Sequence, residues 1–356
     1  MLIWLDILTP KQVHFLGELG RRLEERGHSV FRTIRDYKEV NELVRLKNMT
    51  ALSVGKHGGA SLNGKLVASA NRIQRLAKII SKLKPDLSIA FASPEAARTA
   101  FGLGIPHYTI NDSPHSTSVA RLTIPLSTKL FSPSIISKET WKELGADLDS
   151  IIQYDALDPV AWLKTFIPNS SVLGELSLET AQPIVVVRVE EAFASYLLGH
   201  VSERESITIP IIRDIREYNS AIQIVVLPRY REQIQTLKAV FQDQVRIPQQ
   251  IIDGPNLLFF ASVFIGAGGT MTAEAALLGT PTISCFPRDP TMVDDYLIKK
   301  KLIYRLKSPK DVFKKVTQIL NDSYEIRRKQ RELARTMLSQ MEDPIEVIIR
   351  EVERGH

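Results

Sequence analysis

The stretch FFASVFIGAGGTMTAEAALLGTPTISCFP, residues 259–287, decides the fold class. Its apolar, β-rich run at 262–265 leads into a turn that contains three glycines, Gly266, Gly268 and Gly269. Small apolar residues then continue to Leu278, as they do in a buried helix. A strand that passes through a glycine turn into a helix is the βα unit of parallel α/β sheets, so the stretch predicts such a sheet.

Alternating strand and helix patterns lie on both sides of a polar, proline-containing region. The strand LIWLDIL at 2–8 begins one series, and PIVVVRV at 183–189 begins another. We therefore predict an α/β protein with two doubly wound Rossmann-like domains that face each other across a cleft, which is the expected binding site. The predicted boundaries are 1–165 for the first domain, 166–182 for a linker, 183–335 for the second domain and 336–356 for a C-terminal helix that can pack back on the first domain.

The composition is that of a globular protein, with 44% hydrophobic and 24% charged residues among 356. No run of 18 apolar residues occurs, so the sequence predicts no transmembrane helix. Cys285 is the only cysteine, and no Cys/His cluster has the spacing of a zinc site. We expect a cytoplasmic protein, peripheral to a membrane at most, without a metal site.

The formal charge of +6 is concentrated in the first half of the chain. Residues 1–84 hold 16 Lys and Arg against 7 Asp and Glu, whereas residues 171–356 hold 24 of each kind. A basic domain indicates an anionic partner such as a phosphate group or an anionic lipid surface, or else a solvated face. We expect no nucleic-acid partner, because no nucleic-acid-binding signature is visible and aromatic residues make up only 7%.

The helix after the glycine turn supplies the first functional signal. Thr270 or Thr272 can cap it, and its first N–H groups lie beside the positive end of the helix dipole, which suits phosphate. Glu274 lies about one turn further on, where its carboxylate can accept hydrogen bonds from sugar hydroxyls. Phosphate donors followed by a hydroxyl acceptor describe a nucleotide or a sugar nucleotide. The structural alternative is a tight turn followed by a surface glutamate.

The segment GGTMTAEAALLGTP, residues 268–281, resembles the C-terminal-domain signature of GT-B-type glycosyltransferases and of UDP-GlcNAc 2-epimerase. In those families the glycine turn holds the pyrophosphate of a UDP-sugar, and the glutamate binds the ribose hydroxyls. The resemblance implies that Glu274 binds ribose here. It implies a nucleotide-sugar-binding role for the turn residues Gly266, Gly268, Gly269 and Thr270.

A narrower resemblance covers most of residues 1–290. It is carried by WLDILTPKQVHF, VGKHGGASLNGKLVASANRI, INDSPHSTSVARLTIPLST, VRVEEAFASYL, LPRYREQ and the opening stretch. These segments resemble an archaeal and bacterial family of unknown function that is GT-B-like. That family is related to UDP-GlcNAc 2-epimerase and to peptidoglycan-type UDP-GlcNAc glycosyltransferases. The resemblance implies a GT-B-like fold, while the reaction of the family is not established.

A helix start follows the first strand. Thr9, Pro10 and Gln12 occupy the N-cap, N1 and N3 positions of a capping box. His14 follows in the first turn and resembles a histidine of the peptidoglycan-type transferases. With a pKa near neutrality it could act as the base on an acceptor hydroxyl, and otherwise it is a polar residue without a role.

A glycine-rich loop, VGKHGGASLNGK at 54–65, brings three cationic or titratable side chains together. Glycines permit a mobile lid, and the cations could meet a phosphate, whereas the alternative is a flexible surface loop. We predict an acceptor- or phosphate-binding role for the loop residues Lys56, His57, Gly58, Gly59 and Lys65.

The segment INDSPHS, residues 110–116, follows a predicted strand, so its polar side chains should lie at the carboxyl edge of the sheet. Asp112 and His115 could form a base and the group that orients it. The alternative is an Asx-turn followed by a proline.

Arginines follow two strands of the second domain. Arg188 ends one strand, and Arg229 with Gln233 follows the next, so the two guanidinium groups could clamp a diphosphate. The alternative is a pair of surface ion pairs with Glu190 or Glu232.

The sequence thus predicts a metal-independent GT-B-type glycosyltransferase, without a cofactor, that uses a nucleotide sugar as donor. The donor is expected to be UDP-linked, and the acceptor to be an unidentified, lipid-phosphate-like molecule. One alternative is an isomerase like UDP-GlcNAc 2-epimerase, but Val187 replaces the histidine of the H-R-x-E-N segment, and Arg229 stands where epimerases tend to carry another histidine. A second alternative is a non-catalytic binder of sugar nucleotides. The sugar, the stereochemical outcome and the oligomeric state stay open.

Overall fold

The computed structural model describes residues 1–59, 61–190 and 206–354. The described chain forms two compact units. The first unit contains Met1–Trp162 and the C-terminal segment from Glu342 onward, and the second contains Leu163–Met341. The segment VRVEEAFASYL, which carried part of the resemblance, extends beyond the described residues at 191–205.

The first unit is built on a parallel sheet, in which the described residues supply seven strands in the order β3-β2-β1-β4-β5-β6-β7. The strands are β1 (Leu2–Ile7), β2 (Ser29–Asp36), β3 (Leu52–Lys56), β4 (Leu87–Phe91), β5 (His107–Ile110), β6 (Lys129–Pro133) and β7 (Ile151–Tyr154). The helices are α1 (Pro10–Glu25), α2 (Lys38–Leu46), α3 (Leu62–Leu83), α4 (Pro94–Gly102), α5 (Thr117–Thr123), α6 (Lys138–Lys142) and α7 (Val160–Leu163). Two short 3₁₀ turns occur at Ile124–Leu126 and Leu148–Ser150.

The second unit is built on another parallel sheet, whose five described strands have the order β12-β11-β10-β8-β9. The strands are β8 (Ile184–Arg188), β9 (Gln223–Leu227), β10 (Val263–Gly266), β11 (Thr282–Ser284) and β12 (Ile303–Arg305). The helices are α8 (Ser171–Glu175), α9 (Thr208–Tyr218), α10 (Arg231–Phe241), α11 (Gly254–Phe260), α12 (Thr270–Leu277), α13 (Met292–Lys299), α14 (Pro309–Asn321) and α15 (Ser323–Gln340). The last helix of the chain, α16 (Pro344–Arg354), belongs to the first unit.

Strand β8 shows why these sequences form doubly covered sheets. Its valines are continuous in sequence, and Val185 and Val187 point into one apolar core while Val186 points into another. A strand that is buried on both faces needs such an unbroken apolar run, since side chains alternate between the two faces of a sheet. The structure confirms the prediction of two parallel-sheet α/β domains.

The segment at 166–182, predicted as a linker, is folded into the second unit. Helix α8 lies within it, and Val172, Leu173 and Leu178 are buried in the core that also contains Ile184 and Leu257. The polar and proline residues of this segment suggested a linker, but its few apolar residues were sufficient to pack it against the sheet.

The predicted C-terminal helix is divided in the structure. Helix α15 ends at Gln340, and α16 begins at Pro344 and packs on α1. Arg22 of α1 pairs with Asp343 at 2.5 Å, and Arg26 pairs with Glu346 at 2.6 Å. The proline at the first position of α16 favours a new helix start and disfavours continuation of the preceding one.

A buried ion pair lies at the centre of the first sheet. Asp6 of β1 accepts both guanidinium hydrogen bonds of Arg72 on α3, at 2.6 and 2.9 Å. The hydroxyls of Thr33 and Ser93 donate to the same carboxylate, at 2.5 and 2.7 Å. Burial alone would raise the pKa of Asp6, but the charge of Arg72 and these hydrogen bonds hold it below its usual value. The group therefore stays ionised and ties α3, β2 and α4 to β1.

We predict that Arg72→Met destabilises the protein by about 3–5 kcal/mol, because it leaves the buried carboxylate of Asp6 without a cation. Arg75→Met, on the exposed side of the same helix, should change stability by less than about 0.5 kcal/mol. Urea unfolding of both variants measures the difference. Equal stability of the two variants would contradict the central role of the Asp6–Arg72 pair.

Candidate functional site

The βα turn between β10 and α12 has the conformation that only glycine adopts easily. Gly268 and Gly269 have φ of +100° and +97°. Gly269 occupies the N-cap of α12, so no side chain caps the helix at that position. The prediction that Thr270 or Thr272 caps α12 is therefore wrong, because the helix already begins at Thr270. A glycine N-cap leaves the first N–H groups of α12 without a side-chain oxygen from the N-cap residue.

The glycines of this turn are also needed for space. A Cβ on Gly266 would lie 2.5 Å from the Thr272 hydroxyl oxygen, and one on Gly268 would lie 2.7 Å from the Phe286 ring. A Cβ on Gly269 would lie 2.7 Å from Nη2 of Arg229. The guanidinium group of Arg229 therefore lies directly against the glycine turn, with Nη2 3.5 Å from the Gly268 carbonyl oxygen.

Arg188 and Arg229 come to the same edge because strands β9, β8 and β10 are neighbours. Arg188 is paired in register with Leu227 on one side and with Gly266 on the other. Its Nη1 donates to the carbonyl oxygens of Leu227 and Pro228, at 3.3 and 3.2 Å. The structure thus brings the two predicted arginines and the predicted glycine turn together at the carboxyl edge of the second sheet.

Gln233, which was predicted to bind the nucleotide sugar, contacts neighbouring backbone groups through its side-chain amide. Its side-chain oxygen accepts hydrogen bonds from the backbone N–H of Arg229 and of Tyr230, at 2.8 and 3.3 Å. Its side-chain nitrogen donates to the carbonyl oxygen of Glu190 at 2.9 Å. Gln233 therefore caps α10 and fixes the backbone that carries Arg229.

Glu274 is buried, with only 5% of its surface exposed, in the second turn of α12. The alternative of a surface glutamate is therefore wrong. A carboxylate is expensive to bury, so a buried glutamate just after the glycine turn requires polar partners. Thr270, at the first position of α12, is partly exposed.

A second polar cluster lies at the carboxyl edge of the first sheet. Lys11, in the first turn of α1, lies 2.5 Å from Asp112 and 2.6 Å from Asp158. The hydroxyl of Tyr154, at the end of β7, donates to Asp158 at 2.6 Å. The Lys11 ammonium group also lies 4.2 Å from the centroid of the Phe91 ring, at the end of β4.

The carboxyl groups of this cluster have opposite pKa shifts. Burial raises the pKa of Asp112, but Lys11 and hydrogen bonds outweigh it and lower the pKa overall. Burial and the neighbouring Asp112 raise the pKa of Asp158 to about 7. Because this folded-state pKa lies above that of the unfolded chain, protonated Asp158 favours folding at low pH. That contribution is lost as the pH rises towards about 7.

Asp112 was predicted to work with His115, but its principal partner is Lys11. Asp112 also accepts a hydrogen bond from the Ser113 hydroxyl at 2.8 Å. The pKa of His115 is below its ordinary value. Burial lowers it most, and the charge of Lys11 lowers it further, while the charge of Asp112 acts in the opposite direction. Sequence reasoning missed Lys11, Tyr154 and Asp158. The available signal was that each lies at or just after the carboxyl end of a strand.

His14 lacks the pKa near neutrality that was predicted. Its ring stacks on Trp162 with the centroids 5.5 Å apart. Burial, and to a lesser extent the charge of Lys47, lower its pKa to about 3. A neutral imidazole with so low a pKa is a weak base at neutral pH, so the structure does not support His14 as the general base.

The glycine-rich loop after β3 packs closely at one point. A Cβ on Gly58 would lie 2.5 Å from the Gly64 carbonyl oxygen in the first turn of α3 and 2.6 Å from Cα of Lys65. Nδ1 of His57 accepts a hydrogen bond from the backbone N–H of Gly59 at 3.1 Å.

A cavity of about 480 Å³ lies between this loop and α2. Lys56 and His57 line this cavity on one side. The segment 36–45 lines the other side with both carboxylates and cations, so the cavity lining carries charges of both signs. The loop follows β3 and Asp112 follows β5. These two strands are four strand spacings apart in the sheet, about 19 Å, so the structure does not bring the loop and Asp112 together.

The described part of the chain holds no group of three or more His, Cys, Asp or Glu residues placed to bind a metal ion. None of the helices in the described ranges is both long and apolar enough to cross a membrane.

The chain matches, over residues 1–354, the family described as "Protein of unknown function (DUF354)". It belongs to that family. A relative from Methanocaldococcus jannaschii, the uncharacterized protein MJ0665, is 32% identical over 315 residues, which cover 87% of this chain and 89% of that protein. These findings confirm the resemblance to a family of unknown function.

Solved structures share the fold at low sequence identity. The UDP-GlcNAc 2-epimerase from Neisseria meningitidis bound to UDP-GlcNAc has a TM-score of 0.74 and 16% identity, with 99% of this chain and 100% of that chain covered. The spinosyn forosaminyltransferase SpnP has a TM-score of 0.65 and 15% identity, with 99% and 98% covered. These matches confirm the predicted GT-B-like fold class, which epimerases and glycosyltransferases share.

We predict that Gly269→Ala lowers the free energy of unfolding by about 1–3 kcal/mol, since alanine is strained at φ +97° and its Cβ would displace Arg229. Gly174→Ala, in α8, has no heavy atom within 4 Å of the added Cβ and should be neutral or slightly stabilising. Chemical denaturation compares the two. Tolerance of alanine at 269 would show that neither the backbone conformation nor the Arg229 contact is required.

Proposed function

We propose that the chain is a GT-B-type glycosyltransferase that takes a nucleotide sugar, linked to UDP, as its donor. The observation that carries this proposal is the uncapped N-terminus of α12, with Arg229 against its glycine turn and Glu274 buried one turn further on. Backbone N–H groups, a helix dipole and a guanidinium group in one place favour a diphosphate.

In the proposed reaction the second unit binds the donor. The α12 N-terminus, Arg188 and Arg229 would neutralise the charge that develops on the departing diphosphate, so this route needs no metal ion. Glu274 would accept hydrogen bonds from the ribose hydroxyls and so select a nucleotide over inorganic diphosphate. Gln233 would act indirectly, by holding the backbone of Arg229.

The comparisons support UDP as the nucleotide. The Neisseria epimerase of the same fold was solved with UDP-GlcNAc, and a Staphylococcus aureus protein named MnaA, with a TM-score of 0.75 and 12% identity, was solved with UDP. A glycosyltransferase of the fold, SpnP, supports sugar transfer as the reaction class.

A second candidate reaction is epimerisation of the sugar, as in UDP-GlcNAc 2-epimerase. The cluster of Lys11, Asp112 and Asp158 favours it, because epimerisation requires groups that exchange protons with the sugar. Incubation of UDP-GlcNAc in heavy water without an acceptor separates the two reactions. An epimerase would form a second sugar nucleotide with deuterium at C2, whereas a transferase would at most release the sugar to water and would leave C2 without deuterium.

We predict that UDP binds the wild-type protein and that Glu274→Gln and Arg229→Met each weaken it by roughly 10- to 100-fold, as expected for loss of hydrogen bonds to a charged group. Glu232→Gln, in the first turn of α10 and exposed, is the control and should leave the affinity unchanged. Titration calorimetry with UDP and UDP-GlcNAc measures the affinities.

Thermal unfolding of each variant, with UDP, UDP-GlcNAc, GDP-mannose and NAD as a panel, controls for folding and for the choice of base. Wild-type affinity in both site variants would overturn the donor site. Binding that persists without turnover or epimerisation would identify a non-catalytic sugar-nucleotide binder.

For the acceptor we propose a molecule presented at an anionic lipid surface. Leu62, Leu66 and Val67, at the start of α3, are exposed to 73%, 70% and 50%. The helix contains no acidic residue, and Lys65 lies between Leu62 and Leu66 in its first two turns. Exposed apolar side chains together with cations match the acyl and headgroup layers of an anionic membrane.

We predict that the protein sediments with vesicles of phosphatidylcholine and phosphatidylglycerol, less with phosphatidylcholine alone, and less at high salt. A variant with Leu62→Gln, Leu66→Gln and Val67→Thr should lose at least about tenfold in vesicle affinity, because its apolar area no longer enters the bilayer. Leu122→Gln, an exposed leucine on α5, is the control. Equal sedimentation of both variants would contradict the membrane assignment.

A further inference from the structure

We propose that Lys11, Asp112 and Asp158 form an acid–base site in which two carboxyl groups share one proton and Asp112 takes the proton from the substrate. Tyr154 is the positioning residue of this site. The catalytic part of the proposal rests on the proposed function, since it needs a substrate hydroxyl. The shared proton rests on the geometry of the first unit alone.

The geometry brings four groups from different elements into direct contact. Lys11 comes from α1, Asp112 from the loop after β5, and Tyr154 and Asp158 from β7 and the turn after it. Lys11 contacts both carboxyl groups at 2.5 and 2.6 Å, so the two carboxyl groups lie against one ammonium group. The Tyr154 hydroxyl donates to the other oxygen of Asp158.

The charges require a proton in this arrangement. Lys11 supplies one positive charge, which balances one carboxylate. A second ionised carboxylate, fully buried against the same ammonium group, would be uncompensated. His115 is the other titratable group beside Asp112, and the Phe91 ring lies against Lys11.

Exposure assigns different roles to the two aspartates. The side chain of Asp158 is 0% exposed, whereas that of Asp112 is 15% exposed. Asp112 is therefore the carboxyl group that a bound hydroxyl can reach, and Asp158 is the group behind it that holds the proton. The burial of Asp158 and the hydrogen bond from Tyr154 keep its carboxyl group fixed against Lys11.

In the proposed step the O–H bond of an acceptor hydroxyl breaks as the proton moves to the Asp112 carboxylate. The electron pair stays on the acceptor oxygen, which forms the new bond to the anomeric carbon of the sugar. The bond between that carbon and the phosphate oxygen breaks, and its electron pair leaves with UDP. No oxidant or reductant is needed.

Infrared difference spectra recorded from about pH 5 to about pH 9 test the shared proton without any ligand. We expect the carbonyl band of a single protonated carboxyl group to disappear with a midpoint near pH 7. Asp112→Asn and Asp158→Asn should each abolish this band, because Lys11 then balances the one carboxylate that remains. Asp149→Asn, at an exposed aspartate, should leave it unchanged. Absence of the band in the wild type, or its persistence in both variants, would overturn the shared proton.

Turnover tests the role of Asp112. With UDP release from UDP-GlcNAc as the assay, in which water takes the place of the acceptor hydroxyl, Asp112→Asn should lower kcat by roughly 10²- to 10⁴-fold with little change in KM. In Asp158→Asn the acidic limb of the pH–rate profile should move to higher pH, since a protonated Asp158 no longer lowers the pKa of Asp112. Tyr154→Phe should shift this limb by a smaller amount. A purely structural role would lower stability and leave the limb in place.

Thermal unfolding of each variant separates loss of activity from loss of fold. Lys11→Met is a further variant, in which a side chain of similar length replaces lysine but carries no charge. Wild-type kcat in Asp112→Asn, or an unmoved acidic limb in Asp158→Asn, would overturn the catalytic assignment. Absence of turnover in the wild-type protein would overturn the proposed function and the catalytic part of this proposal. The infrared titration decides the shared proton by itself.

Discussion

The parallel direction of the strands is the constraint on which the rest of the molecule depends. Every strand in the described ranges runs parallel to its neighbours, so each sheet has one edge where all its strands end and the chain turns into a helix. Both faces of such a sheet are covered by helices, which leaves this carboxyl edge as the place where polar side chains can gather. The glycine turn with Arg188 and Arg229 lies at this edge of the second sheet. The cluster around Lys11 lies at the corresponding edge of the first.

Burial makes the polar groups at these edges depend on each other. Asp6 stays ionised because Arg72, Thr33 and Ser93 together outweigh the cost of desolvation, and the result is a rigid centre. Asp158 is equally buried, but the cation that contacts it, Lys11, also contacts a second carboxylate. The same low-dielectric surroundings therefore hold one aspartate as a carboxylate and retain a proton on the other. The first arrangement contributes to stability, and the second is suited to proton transfer.

Local patterns in the sequence predict most of the fold and part of the site. The unbroken apolar strands and the glycine turn depend on neighbours along the chain, so Gly268 and Gly269 could be recognised directly. The Lys11–Asp112 contact joins residues 101 positions apart, and only the strand order reveals it. The linker prediction was wrong because composition cannot show that a short helix such as α8 finds a core to pack against. The role of Gln233 was missed because a capping amide and a ligand-binding amide look alike in sequence.

The polar groups at the two carboxyl edges suit ligands of different charge. At the second sheet, backbone N–H groups and guanidinium groups supply positive potential that cannot be lost by titration near neutral pH, which suits a permanently charged diphosphate. At the first sheet, the Lys11 ammonium group and two carboxyl groups are balanced by one movable proton, which suits a neutral hydroxyl that must lose its own. Transfer of a sugar from a nucleotide requires both properties, because one bond breaks as negative charge leaves and the other forms as a proton is removed. The physical contrast between the two edges is therefore what the proposed group transfer would require of the two units.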